Sequence, residues 1–284
     1  MFLTIWSHFI HINHTVLIEG KLMRKALLGL STLVLASTGF AADYSDDIHK
    51  NDYSWRQFNM MYTFDELPGE SSHDYLELEF GGRSGIVDLY GYLDVFNVTS
   101  TDANDKSDSD KMFLKLAPRF SLDGMTGKDL SFGAVQELYV STLFSLDGGQ
   151  NGTNNSFIGL GADVDMPWLG KVGMNLYALY DQSFGNRNGW NGYQFSANWF
   201  KPIMNFENGS FLAYQGYVDY QFGMDSDYVT STDGGATFQG LYWHSKRYAL
   251  GYGLKIFKDV YGIDDTPGFK SSGFSHYISA TYKF

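Results

Sequence analysis

Tyr75, Glu77 and Glu79 alternate along one stretch of the chain. Asp88, Tyr90, Tyr92 and Asp94 alternate along the next, and Phe113, Lys115 and Arg119 along a third. Glu137, Asn175 and Tyr177 continue the pattern further on. Residues spaced by two share one face of a β-strand, so each stretch sets aromatic rings beside hydrogen-bonding groups on a single side. Rings stack on planar bases, and carboxylates and amides bind hydroxyls, so a planar base carrying a sugar suits such a surface. Filling and solvating a narrow polar interior calls for the same residue types. Hydrolysis demands more: a nucleophile, a base and an orienting group within hydrogen-bond reach. Beyond residue 41 the histidines are His49, His73, His244 and His276, and none sits in a recognisable Ser or Asp motif, so catalysis is not expected.

The elements that must carry these faces are strands. Over Ser275 to Phe284, His276, Ile278, Ala280, Tyr282 and Phe284 fall on one side, and Ser275, Tyr277, Ser279, Thr281 and Lys283 on the other. A tilted strand of about ten residues is long enough to cross the hydrocarbon layer of a membrane. Similar alternation recurs at 57–64, 75–80, 87–95, 112–120, 130–144, 158–165, 174–181, 193–199, 211–222, 238–244 and 248–256. Gly81 to Gly85 reads as a tight turn, 123–129 as a short turn, and Pro202 as the end of the eighth strand. Twelve strands result, with long connections after the odd ones. That order is expected of an all-β, antiparallel up-and-down barrel in an outer membrane, monomeric, with short periplasmic turns, long extracellular loops and both termini periplasmic. Lipid offers the backbone no hydrogen-bond partners, so the last strand must pair with 57–64 to close the sheet.

Composition agrees. The 284 residues are 17% aromatic and 44% hydrophobic, with 32 Gly and no Cys, and beyond residue 41 no apolar run is long enough for a spanning helix. Arg24-Lys25, the apolar run 26–35 and the small residues ending at Ala41 form a signal peptide over 23–41, preceded by an extension, 1–22, that suggests an upstream mis-assigned start. Residues 42–284 then form a single barrel domain. That mature part carries 17 Lys and Arg against 31 Asp and Glu, a formal charge of −14 that repels nucleic acid. Acidic stretches at 102–110 and 259–265 match no EF-hand spacing and read as solvated loop charge, and no cofactor is expected. At roughly 4.8 Å between strands and a tilt of about 40°, a circular barrel would be about 24 Å across its backbone and leave a passage of about 10 Å.

Several segments go further. Pro118-Arg119-Phe120-Ser121-Leu122-Asp123, Thr126 and Asp129-Leu130-Ser131-Phe132-Gly133 resemble the signature of the Tsx-like nucleoside-specific channel family. Tyr75-Leu76-Glu77, Tyr90-Gly91-Tyr92, Gly159-Leu160-Gly161 with Asp163, Asn175-Leu176-Tyr177-Ala178, Gly192-Tyr193 and Pro202-Ile203 resemble it in the same order. The resemblance implies passive diffusion of nucleosides and deoxynucleosides, in a branch similar to phage receptors, with outer-membrane lipid and lipopolysaccharide as surroundings. A terminal aromatic such as Phe284 resembles the signal read by the outer-membrane assembly machinery. Two other readings remain: a structural or adhesive barrel with a plugged lumen, and an outer-membrane hydrolase. Mass spectrometry of the exported chain is expected to place its first residue at Ala42; a chain retaining residues 23–41 would overturn the signal-peptide reading.

Overall fold

The computed structural model describes residues 42–99, 111–147, 152–183 and 187–284. The expected extension 1–22, the signal peptide 23–41 and the acidic stretch 102–110 lie outside the described residues. Twelve strands follow in order: β1 (Tyr53–Glu66), β2 (Ser71–Ser84), β3 (Val87–Phe96), β4 (Met112–Ser121), β5 (Val135–Asp147), β6 (Asn154–Met166), β7 (Gly170–Asp181), β8 (Gly189–Asn205), β9 (Phe211–Phe222), β10 (Asp233–His244), β11 (Tyr248–Lys258) and β12 (Gly273–Lys283). Each pairs antiparallel with its sequence neighbours, and β12 pairs with β1 from Gln57↔Lys283 to Phe64↔His276, so the sheet is a closed barrel.

Alternation along each strand divides the barrel into two environments. On β12, Ser275, Tyr277, Ser279 and Thr281 are buried while Phe274, His276, Ile278, Ala280 and Tyr282 are exposed. Phe58, Met60, Tyr62 and Phe64 on β1 and Leu250 and Tyr252 on β11 stand on the same outer face. His276 is also there, with its Nδ1 2.7 Å from the Tyr252 hydroxyl. A polar interior and an apolar, aromatic exterior are what a barrel facing lipid needs.

Four local expectations are corrected. Gly81, Gly82 and Arg83 belong to β2, and the turn is only 85–86, with Gly85 at φ +55°. The paired glycines serve close packing: a Cβ on Gly81 would lie 2.8 Å from the Trp55 ring, and one on Gly82 would strike the Tyr53 carbonyl. Secondly, β5 starts at Val135 rather than 130, because a short helix, α1 (Leu122–Thr126), fills the connection. Ser121 caps it by accepting from Gly124 N at 3.0 Å, and Asp123 accepts from the backbone N–H of Leu130 at 3.1 Å. Thirdly, β8 continues past Pro202 to Asn205, since the proline sits at a register shift where no ladder donor is required. Lastly, β1 runs on to Glu66 and β2 begins at Ser71, beyond the ends expected at 64 and 75, so their connection is only 67–70. Connections 67–70 and 122–134 therefore depart from the alternation of short turns at one end, which also holds the C-terminus, and long loops at the other.

Gly159 lies where β6 approaches β7, and a Cβ there would run into the Leu176 carbonyl, a backbone group that cannot swing aside. Gly159→Ala is expected to cost the folded barrel about 1–3 kcal/mol, read as a lower urea midpoint in detergent; an unchanged midpoint would contradict the close approach.

Candidate functional site

Register sets the lumenal side chains in rows: Glu77 opposite Asp94, Glu79 opposite Tyr92, Arg83 opposite Asp88, Asp88 opposite Arg119, and Glu137 opposite Asp163. Every site residue expected from the sequence lies on an inward-facing row, yet they fall into three separate groups.

The first group is a charged knot at the end that carries the short turns. Arg119 donates from Nε and Nη2 to Asp88 Oδ1 at 3.1 and 2.9 Å, and from Nη1 to Asp163 Oδ1 at 2.9 Å. Its guanidinium lies 4.1 Å from the Tyr139 ring centroid, and the Tyr139 hydroxyl donates to Asp163 at 3.1 Å. Arg83 pairs with Glu137 at 2.9 Å and Asp88 at 3.5 Å and donates to the Tyr139 hydroxyl; Lys171 reaches Asp163 at 2.6 Å. From the segment before β1, Tyr44 donates to Glu137 at 2.7 Å and accepts from Arg83 at 3.3 Å. Burial pushes the Tyr44 phenol up to about 12. Asp88 and Arg119 thus hold each other, Glu137 is tied to them through Arg83, and Tyr139 and Asp163 complete the knot.

A second group fills the adjoining wall of β5, β6 and β7. Tyr177, 2% exposed, packs with Leu143, Phe157 and Leu179, and Asn175 accepts from Ser141 at 2.8 Å. Hydrogen bonding and packing there are satisfied within the wall.

The third group lies on the inner faces of β9–β12 and β1–β4, where Tyr75, Phe238 and Tyr277 are buried in one apolar cluster with Met61 and Tyr242. Tyr75 meets Phe96 edge to face with centroids 5.8 Å apart, Tyr92 lies 6.0 Å from Phe113, Tyr217 stacks on Phe238 at 6.0 Å, and Phe238 meets Tyr277 at 5.7 Å. Among these rings stand two carboxylates held by neutral donors. Asn59 donates to Glu77 at 2.5 Å and to Glu79 at 3.0 Å, Gln57 donates to Glu79 at 2.6 Å, and the Tyr90 hydroxyl donates to Glu79 at 2.9 Å. Tyr90 is 38% exposed on this inward row, beside Trp55 and Tyr92.

Across the lumen, Lys115 on β4 donates to Asp219 on β9 at 2.8 Å. In a ring of twelve strands these two stand five apart one way and seven the other, so they face each other across the barrel. Such a contact closes only if the section is flattened along that axis, which corrects the circular 24 Å estimate. The lumen is a slot, bordered on the β10–β12 and β1–β3 side by the aromatic rows and Glu77 and Glu79.

Asn59, Tyr217, Asp219, Phe238 and Tyr277 were absent from the expected site although each sits at an inward position of its strand. The alternation itself was the signal. Arg83 was hidden by the glycines around it, and no sequence feature paired β4 with β9.

A closed antiparallel barrel with an apolar exterior and a polar slot defines a membrane-spanning channel. The family described as nucleoside-specific channel-forming protein, Tsx, matches residues 50–284, and the chain belongs to that family. The outer membrane protein OmpK of Vibrio parahaemolyticus is 62% identical over 269 residues, covering 92% of this chain and 100% of that one. The nucleoside-specific channel-forming protein Tsx of Salmonella typhimurium is 31% identical over 218 residues, covering 72% of this chain and 76% of that one. Among solved structures, a KdgM porin is similar at a TM-score of 0.43 and 12% identity, covering 82% of this chain and 99% of that one. The protein is accordingly an outer-membrane channel of a Gram-negative bacterium.

Removing the central cation of the knot would leave Asp88 and Asp163 facing each other with less compensation. Arg119→Met is expected to destabilise the barrel by about 3–5 kcal/mol, as for a broken buried pair, seen as loss of the heat-resistant folded band in detergent gels. Unaltered heat resistance would contradict the knot's structural role.

Proposed function

We propose that the channel passes nucleosides and deoxynucleosides by passive diffusion, without energy coupling and without covalent chemistry. The observation that carries this reading is the slot, in which aromatic rings spaced for stacking flank Glu77 and Glu79. A nucleoside presents a flat base and a sugar with hydroxyl donors. The base stacks on Tyr90, Tyr92 or Tyr75, and the hydroxyls donate to the two carboxylates in place of the amide protons. The Tsx relatives of Salmonella typhimurium and Klebsiella pneumoniae are nucleoside-specific channel-forming proteins by name, which supports the same solute class. Within the expected set, Tyr75, Glu77, Glu79, Tyr90, Tyr92, Phe113 and Lys115 border this path. Asp88, Arg119, Glu137, Asn175 and Tyr177 act as wall.

The same reading orients the barrel with its short turns and both termini toward the periplasm and the long loops outside, where they offer surface to lipopolysaccharide and to a bacteriophage. Phe284, whose ring lies 5.3 Å from Phe58 and under the Arg56 guanidinium, is exposed and so offers the assembly machinery an aromatic ring to recognise.

Single-channel conductance in a planar bilayer, titrated with adenosine or thymidine, tests the solute. Concentration-dependent block by nucleosides and not by sugars or amino acids is expected. The reverse pattern would make the solute assignment wrong, and absence of conductance would favour a structural barrel. Tyr90→Ala and Tyr92→Ala are each expected to weaken block by about tenfold, the scale of losing one base–aromatic stack. Equal block by wild type and both variants would place the stacking surface elsewhere.

A further inference from the structure

We propose that the Lys115–Asp219 bridge is the selectivity element of the channel, a strut across the lumen that uncharged hydroxyl-rich solutes part and bare ions do not. The inference rests on the protein being a channel and deepens the proposed function by naming what the solute must offer.

Three features set this pair apart from the charged knot. It joins strands five apart round the ring, whereas the pairs of the knot are at most three apart. Its partners are partly exposed, Lys115 at 19% and Asp219 at 25% of the side chain, so lumenal water reaches both. And only one end is fixed. Asp219 accepts from Ser196 Oγ at 2.6 Å; Ser196 accepts from Gln194 at 2.9 Å, and Gln194 accepts from Gln221 at 3.1 Å. This polar chain holds the carboxylate against the wall. Among the described residues Lys115 has no such brace. Its Nζ lies 5.7 Å from the Tyr217 ring centroid, so an ammonium released from Asp219 has an aromatic face nearby to rest on.

Opening the strut leaves a carboxylate in need of a donor and an ammonium in need of an acceptor. A solute with a donor and an acceptor on neighbouring atoms, such as a hydroxylated sugar or the edge of a base, satisfies both at once. A monatomic cation can serve only the carboxylate and an anion only the ammonium, and each is repelled by the other partner. The bridge therefore favours neutral solutes with paired hydrogen-bonding groups.

Ion currents in potassium chloride, without any nucleoside, test the strut separately from the solute assignment. Lys115→Met is expected to raise single-channel conductance and to shift the reversal potential in a salt gradient toward cation preference, because Asp219 then stands alone. Asp219→Asn is expected to raise conductance too, with the shift toward anion preference. The doubly exchanged variant Lys115→Asp with Asp219→Lys rebuilds the bridge with reversed polarity and is expected to return to low conductance. If that variant fails to assemble, Lys115→Arg with Asp219→Glu, which keeps both charges, serves the same purpose and is expected to retain low conductance. Breaking a charge-assisted hydrogen bond of this kind changes the closed-to-open ratio by about tenfold or more. Unchanged conductance and reversal potential in both single variants would overturn the proposal, as would a rebuilt bridge that stays as open as the single variants. Ion currents that behave as expected while nucleosides fail to block would sink the nucleoside assignment and leave the strut standing.

Discussion

Every feature of this protein depends on one constraint: in hydrocarbon, backbone N–H and C=O groups have no partner but each other. Pairing of β1 with β12 from Gln57↔Lys283 to Phe64↔His276 removes the last open edge. Once the sheet is closed, a side chain on a spanning strand points to lipid or to the lumen. Polar residues are thereby concentrated in a narrow interior, where they must satisfy one another or face water.

The interior uses its polar groups in two ways. Around Arg119, opposite charges on strands one to three apart are matched closely enough that Asp88, Asp163 and Glu137 each find a cation, which offsets the cost of burying them. Around Glu77 and Glu79 the partners are amides and a phenol, which are easily replaced by a solute's hydroxyls. Both regions are rich in carboxylates. On the proposed reading, this difference in partners separates structural wall from solute path.

The fold was legible in the sequence because the partition between lipid and lumen is local: a two-residue period suffices to assign a face, and Ser275 to Phe284 shows it without reference to any other strand. Strand ends were less legible. Glycines at 81 and 82 resemble a turn but serve close packing against Trp55 and Tyr53, and Pro202 resembles a terminator but sits at a register shift. The site was legible as a set of inward positions and not as an arrangement. Nothing local distinguishes Tyr177, packed against Phe157, from Tyr90, whose ring is open to the lumen. Contact between Lys115 and Asp219 follows from closure and flattening of the whole ring, so no stretch of sequence contains it.

The central claim is that solutes travel through the slot between the aromatic rows and past Glu77 and Glu79. The most direct measurement is a crystal structure of the barrel soaked with a brominated nucleoside, with the bromine located by anomalous scattering. Signal inside the lumen, at the level of Tyr90, Tyr92 and Glu79, is the predicted result. Signal confined to the loops or the outer face, with the slot empty at saturating nucleoside, would contradict it.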